Sequence, residues 1–229
     1  MPLQGAAMRR LFTCSFAART DEPELALRRL RCASHNDTRN GGGEPIIGSI
    51  MDDIVRQAIA KWPNVPHCYG WLGLDARGNW YMRDDRTQAA GPFPQSRGSL
   101  LKHEKLIEFI QRNYERDAQG QWFFQNGPQR VYVELETTPW VWRLGPGASV
   151  TAHTGKPAQP QRCILDEQGR LYLETDLGFG LVHTQDVEQA ADAIEGGLWT
   201  AEEMAAADLP GRFGYVRSPA ALRQAMAQP

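Results

Sequence analysis

The chain has 229 residues, 41% of them hydrophobic, and a formal net charge of −2. That is enough for one well-buried core or two small tandem domains. The near-neutral charge argues against a bulk electrostatic grip on nucleic acid or an anionic membrane, and no apolar run approaches the roughly 20 residues that span a bilayer. Four cysteines, Cys14, Cys32, Cys68 and Cys163, form no Cys-x-x-Cys pair, so neither a disulfide framework nor a zinc site is expected, and a reducing cytoplasm is the simplest setting.

Residues 1–43 hold seven Arg, no Lys and four acids, a charge of +3. The stretch lacks the apolar core of a secretory signal. Residues 1–50 read as a disordered extension or as sequence upstream of the native start, because Met51 opens an amphipathic helix running to Trp62. Cys68 to Arg83 has the pattern strand, turn, strand, and residues 84–98, polar and rich in Gly and Pro, read as loop. Ser99 suits the N-cap of a helix running from Leu100 to about Arg116. Trp122 to Phe124 is a strand, Gln125-Asn126-Gly127-Pro128 a tight turn, and Arg130 to Glu136 a returning strand, alternating as a half-solvated strand should. Trp140 and Trp142 share a face on a further strand. Gly145 to Pro160 reads as a linker, which sets domains at 51–145 and 146–229. Strands follow at 161–166, 170–175 and 179–184, then a helix capped by Thr184, a short helix with a Thr200–Glu203 capping box, and a last helix entered through Ser218-Pro219.

One phrase occurs three times: Asp75-Ala76-Arg77-Gly78-Asn79-Trp80-Tyr81, Asp117-Ala118-Gln119-Gly120-Gln121-Trp122-Phe123, and Asp166-Glu167-Gln168-Gly169-Arg170-Leu171-Tyr172. Asp bonds its own nearby backbone, Gly permits positive φ, and bulky residues favour strand, so each copy predicts a hairpin turn. The sum is an α+β fold: antiparallel β-hairpin repeats packed against a few helices, in two similar β-rich halves.

The sequence carries no Gly-x-Ser-x-Gly, Walker or Gly-x-Gly-x-x-Gly motif. Its five histidines are scattered, so no catalytic residue, metal or cofactor is assigned. Five of the seven Trp fall between residues 71 and 142, where they fill a core or line an aromatic pocket. Trp140, beside Pro139, is the one expected at the surface. Lys102-His103-Glu104-Lys105 opens a helix whose positive end would favour an anion. Gln125, Asn126, Gln129 and Arg130 cluster at a hairpin turn, where they serve turn chemistry or form a polar recognition patch facing Arg97. Asp84-Asp85-Arg86 is a weak cation candidate.

The stretch from Gly78-Asn79-Trp80-Tyr81 through Leu100–Tyr114 and Asp117–Phe123 to Val131-Tyr132-Val133-Glu134-Leu135-Glu136-Thr137-Thr138-Pro139-Trp140 resembles an uncharacterised proteobacterial family, domain of unknown function 1285. The resemblance covers about residues 68–185. It implies tandem β-rich repeats and a role in ligand sensing or signalling. Its ligand residues do not carry over, since Lys102–Lys105 and Asn126–Arg130 depart from the family's phrases. These residues together predict a non-catalytic, regulatory module that binds a small molecule or protein through Trp80, Arg97, Lys102, His103, Lys105, Asn126, Gln129, Arg130 and Trp140, with Trp80, His103, Lys105, Arg130 and Trp140 near one concave surface where the helix at 100–115 meets the hairpin at 121–136. The alternatives are a hydrolase using His103 or His183 with a nearby carboxylate, and a homodimeric scaffold.

Overall fold

The computed structural model describes residues 65–227. The readings of residues 1–50 and of a helix over Met51–Trp62 lie outside the described residues. Among the described residues two β-sheets and five α-helices make the α+β fold. The first sheet comprises β1 (Cys68–Leu74), β2 (Trp80–Met82), β3 (Ser99–Leu100), β4 (Tyr114–Arg116), β5 (Trp122–Asn126) and β6 (Gln129–Leu135), in the order β3-β2-β1-β6-β5-β4. The second comprises β7 (Trp140–Gly145), β8 (Ser149–Ala152), β9 (Pro157–Ala158), β10 (Pro160–Leu165), β11 (Leu171–Thr175), β12 (Gly178–Val182) and β13 (Ala201–Glu203), in the order β13-β10-β11-β12-β7-β8-β9. The chain passes from one sheet to the other across residues 136–139.

The two halves share one topology. In the first sheet two three-stranded antiparallel units, β1-β2-β3 and β4-β5-β6, join where β1 runs parallel to β6. In the second, β7-β8-β9 and β10-β11-β12 join where β7 runs parallel to β12, and β13 adds a parallel edge strand. A single residue, Gln159, separates β9 from β10, although these strands lie near opposite ends of the order. One residue advances the chain by less than 4 Å, so the second sheet curls until its ends approach.

Each Asp-x-x-Gly phrase is the five-residue turn of a hairpin, closing β1–β2, β4–β5 and β10–β11. In all three the Asp N–H donates to the carbonyl four residues on (3.0 Å) and the Gly N–H donates back to the Asp carbonyl (3.0–3.2 Å). The glycines sit at φ +82, +80 and +73, the left-handed region that costs a side chain strain. Asp Oδ1 accepts two backbone N–H groups, at 2.8–2.9 Å. Oδ2 accepts from the residue after the glycine, Asn79, Gln121 or Arg170, and from a tyrosine hydroxyl. That tyrosine is Tyr81 in the first turn and Tyr172 in the third. The second turn has Phe123 there and borrows Tyr132, the cross-strand partner of Phe123.

A fourth turn has the same backbone bonds without the aspartate. The Ala152 N–H donates to the Lys156 carbonyl, the Gly155 N–H to the Ala152 carbonyl, each at 2.8 Å, and Gly155 has φ +79. With Ala152 in place of Asp it was invisible to the motif.

The helices are α1 (Asp85–Ala90), α2 (Glu104–Arg112), α3 (Val187–Glu195), α4 (Leu209–Phe213) and α5 (Pro219–Ala227). Several expectations are corrected. Residues 84–98 contain α1, because Asp84 caps it by accepting from the Thr87 N–H (2.8 Å) rather than holding a cation. Buried Arg83 closes the loop by donating to the Ser96, Gly70 and Gly91 carbonyls. The helix expected from Leu100 starts at Glu104, since Ser99 and Leu100 pair with β2 and His103 supplies the cap. Gly145–Pro160 is not a loop: β8 and β9 lie within it. The helix expected from the Thr200–Glu203 capping box is absent and Ala201–Glu203 forms β13, because pairing with β10 outweighs the box. β6 is buried on both faces rather than half-solvated. Glu134 turns its carboxylate to the start of α5, accepting from the Ser218 hydroxyl (2.5 Å) and the Ala220 N–H (3.0 Å).

Asp166 is buried and ionised. Burial alone would raise its pKa, but hydrogen bonds from Arg170, Tyr172 and Gln168 outweigh it and hold the carboxyl below its usual range. Charge-assisted bonds are worth about 1.5–3 kcal/mol each, so Asp166→Ala is expected to cost at least ~3 kcal/mol and Tyr172→Phe about 1–2 kcal/mol. Because the folded pKa is depressed, the Asp166 contribution is present above the unfolded value near 4 and is lost as pH falls through the folded one. Urea unfolding of both variants at neutral pH checks the ranking.

Candidate functional site

The structure brings the predicted site residues to several places. Trp80 and Trp140 lie in the interior, 2% and 3% exposed, so Trp140 is not at the surface and neither lines an open concave face. Both pack on Tyr114 and His153. Arg97 is exposed and pairs with Glu136 at 2.9 Å and Asp75 at 3.8 Å, closing over the Tyr81 ring. Lys102, His103 and Lys105 are exposed at the start of α2, where His103 Nδ1 accepts from the Leu106 N–H at 3.3 Å. Asn126 and Gln129 are paired across the β5–β6 turn. Gln129 donates to the Pro66 carbonyl at 2.8 Å, and Arg130 lies over the Phe123 ring at 4.5 Å.

The residues that line a cavity are others. A cleft of about 280 Å³ opens between the two sheets, lined by Arg116, Trp122, Pro139, the β11–β12 turn from Glu174 to Phe179, Phe213 and Tyr215. The second Asp turn positions two of these, since it pairs Arg116 with Trp122 at the turn end of β4–β5. The opposite wall is pinned. Thr175 Oγ1 donates to the Gly178 carbonyl and accepts from the Leu177 N–H, both at 3.1 Å, while Trp140 Nε1 donates to the Leu177 carbonyl at 2.9 Å. The third wall is the segment after α4. Its Val216 N–H donates to the Gly120 carbonyl (3.0 Å), and the Arg217 carbonyl accepts from the Leu135 N–H (2.8 Å).

The cleft combines aromatic walls with one uncompensated cation. Trp122, Phe179 and Tyr215 are nearly buried, and Phe213 stacks on Phe179 at 3.8 Å. Burial pushes the Tyr215 phenol up to about 12, so it is neutral. Glu174 is held by Arg162 (3.3 Å), and Asp176 accepts from the Gln159 N–H (2.7 Å). Arg116 is exposed and makes no hydrogen bond or ion pair among the described residues. Trp122 Nε1 is buried without a partner among them. The sequence marked Trp122 only as a member of its tryptophan cluster, and nothing in it singled out Arg116, whose role depends on a distant turn, Glu174 to Phe179.

Behind Trp122 lies the aromatic layer that joins the sheets. Tyr114 contacts Trp80, Trp122, Trp140 and His153 with ring centroids 4.8–6.2 Å apart, and its hydroxyl donates to the Pro139 carbonyl at 3.1 Å. His153 Nδ1 accepts from the Val141 N–H at 3.3 Å, so the neutral ring carries its proton on Nε2, which is buried and unpartnered. His183 Nδ1 likewise accepts a backbone N–H, from Gln185 at 3.1 Å. Among the described residues neither His103 nor His183 has a hydrogen bond to a carboxylate or a nucleophile. Among the described residues no group of three His, Cys, Asp or Glu is placed to hold a metal ion.

Fold and cleft together define an α+β protein of two topologically equivalent mixed sheets with an aromatic cleft between them. The chain belongs to the family whose model is described as Protein of unknown function (DUF2946), matched over residues 51–220. It is similar to two solved DUF1285 family proteins, as its motifs suggested. The one from Silicibacter pomeroyi DSS-3 is 13% identical, with a TM-score of 0.40 over 58% of this chain and 74% of that one. The one from Shewanella baltica OS155 is 14% identical, with a TM-score of 0.38 over 54% of this chain and 91% of that one. No curated protein matches the chain. Among the described residues no helix is long and apolar enough to cross a membrane.

Burial lowers the His153 pKa to about 3, only partly offset by Asp75. The unfolded chain therefore takes up a proton near pH 6.5 that the folded chain refuses until about pH 3. Stability is complete above pH 6.5 and falls by about 1.4 kcal/mol per pH unit below it. Urea unfolding at pH 7.5 and pH 5 should differ by about 2 kcal/mol from this group, and His153→Asn, which keeps an acceptor for Val141, should flatten the slope.

Proposed function

We propose that this chain is a non-catalytic ligand-binding module whose site is the inter-sheet cleft, and that its ligand is a small organic anion with a flat apolar body. The observation that carries this reading is Arg116: an unpaired guanidinium at the rim of a cleft walled by Trp122, Phe179, Phe213 and Tyr215. Such walls favour a planar apolar body, and a free guanidinium favours a carboxylate at one end. The volume suits a molecule of amino-acid or aryl-acid size. Because the lining comes from both sheets and from the segment after α4, an occupied cleft ties three parts of the chain together, which supports a regulatory role read by a protein partner. A cytoplasmic setting belongs to the same reading, supported by the buried free thiol of Cys163.

Thermal-shift and tryptophan-fluorescence titrations with benzoate, indole-3-acetate and hexanoate test it. A ligand at 100 times its Kd should add about 2.7 kcal/mol of stability, a rise of several degrees in Tm. Arg116→Ala should weaken that ligand about tenfold or more while leaving the Tm of the free protein unchanged, since Arg116 is exposed and unpaired. Absence of a shift from the whole panel, or equal affinity in the variant, overturns the assignment.

A further inference from the structure

Gly78, Gly120 and Gly169, the glycines of the three Asp turns, share one backbone conformation and differ in what lies against them. A side-chain carbon on Gly169 would meet no atom within 4 Å, and one on Gly78 would meet the His153 side chain. On Gly120 it would run into the Gly214 carbonyl oxygen and lie 3.3 Å from Tyr215 Cα. Of the three turns only the second is pressed by another stretch of backbone. Glycine is the residue that permits so close an approach, and backbone cannot swing aside for a larger one as a flexible side chain can.

The pressing backbone is the segment after α4. That helix ends on the second sheet: Phe213 stacks on Phe179 of β12 at 3.8 Å, and Arg162 of β10 lies 5.8 Å from its ring centre. Gly214, at φ +63, closes the helix, and the chain crosses to the first sheet. There the Val216 N–H donates to the Gly120 carbonyl at 3.0 Å, and the Leu135 N–H donates to the Arg217 carbonyl at 2.8 Å. The Arg217 guanidinium adds a bond to the Glu136 carbonyl. Phe213 and Tyr215, on either side of Gly214, both line the cleft. The stretch Phe213–Arg217 is therefore a strap, stacked on one sheet, hydrogen-bonded to the other and walling the cleft between them. Its two ends are unlike. Gly214 and Arg217 are exposed, and hydrogen bonds at the surface open at lower free energy than stacked rings. The end seated on Gly120 is the one that releases first.

We propose that Phe213–Arg217 is the movable wall of the cleft, that Gly120 is the positioning residue that seats it, and that filling the cleft holds it down. The last part rests on the cleft being a ligand site; the seat does not. Amide hydrogen exchange of the full chain, followed by NMR, tests both. In Gly120→Ala the Val216 and Leu135 amides should exchange about tenfold faster or more. Gly169→Ala imposes the same strain on a turn that nothing presses, and should leave both amides as they are. Arg217→Met, which alters no turn, should speed the same two amides. Benzoate, indole-3-acetate or hexanoate, whichever binds the native chain, should slow them and should bind Gly120→Ala about tenfold or more weakly, since coupling between strap and ligand is reciprocal. Native exchange of the two amides in Gly120→Ala, or equal acceleration in Gly169→Ala, overturns the proposal. So does a ligand that binds the native chain and leaves both amides unchanged. Should Gly120→Ala fail to fold, Arg217→Met decides, and unchanged exchange there overturns the seat. If none of the three compounds binds, the reading of the cleft as a ligand site fails, and the seat stands or falls on the variants.

Discussion

The aspartate at the head of each repeated turn is the interaction on which the rest depends. A carboxylate as buried as Asp75 or Asp166 would be costly if left alone. Here one oxygen takes two backbone N–H groups and the other takes a polar side chain and a phenol, so the acceptor capacity is used at the turn itself. The five-residue loop fixes the register of the two strands it joins, and register decides which side chains face inward. In the first two copies the first residue after the turn is therefore a tryptophan sent to the inter-sheet layer, and the next residue faces the opposite way. The second copy lacks a tyrosine at that next position, and the sheet supplies Tyr132 from the neighbouring strand instead.

Those tryptophans make the joint between the halves. Trp80, Tyr114 and Trp122 come from the first sheet, Trp140 and Trp142 from the second, and His153 from the fourth turn. Edge and tilted contacts at 5–6 Å suit aromatic rings. Trp140 and Trp142 also place their indole N–H groups, on the Leu177 and Leu173 carbonyls. Those of Trp80, Trp122 and His153 have no partner among the described residues, so the layer combines tight ring packing with polar groups these residues leave unmatched. The cleft lies where this layer reaches solvent.

The equivalence of the two sheets explains features that look irregular singly. Each is a pair of three-stranded units joined through a parallel central pair, a connection that hairpins alone do not produce. In the first sheet the link between the units carries α2; in the second it is one residue long, and the sheet curls to allow it. The turn at Ala152–Lys156 keeps the backbone of the repeat after losing its aspartate. Its neighbour His153 occupies interior space, and its Cβ lies where a side chain on Gly78 would have to fit, 2.7 Å away.

Much of the fold is legible in the sequence because its signals are local. The Asp-x-x-Gly turns, the Asn126-Gly127 hairpin, the alternating strands and the Ser218-Pro219 entry to α5 each rest on bonds within a few residues. The α+β class and the two related halves follow from them. Elements whose stability comes from distant partners are not legible: β3, β9 and β13 exist because β2, β8 and β10 offer them free edges, and α1 depends on a loop that Arg83 holds shut through three carbonyls. The candidate site divides the same way. The tryptophan cluster marks a special interior from composition alone, but which of its members reaches a cavity depends on how one sheet sits against the other. By itself the sequence determined the turns, the strands they join and the residues that prefer to be buried, since those are properties of short stretches of chain. Only the tertiary structure decided that Trp140 is core and that Arg116 stands beside an aromatic cleft with no partner among the described residues, because charges and cavities are set by which distant segments fold back against one another.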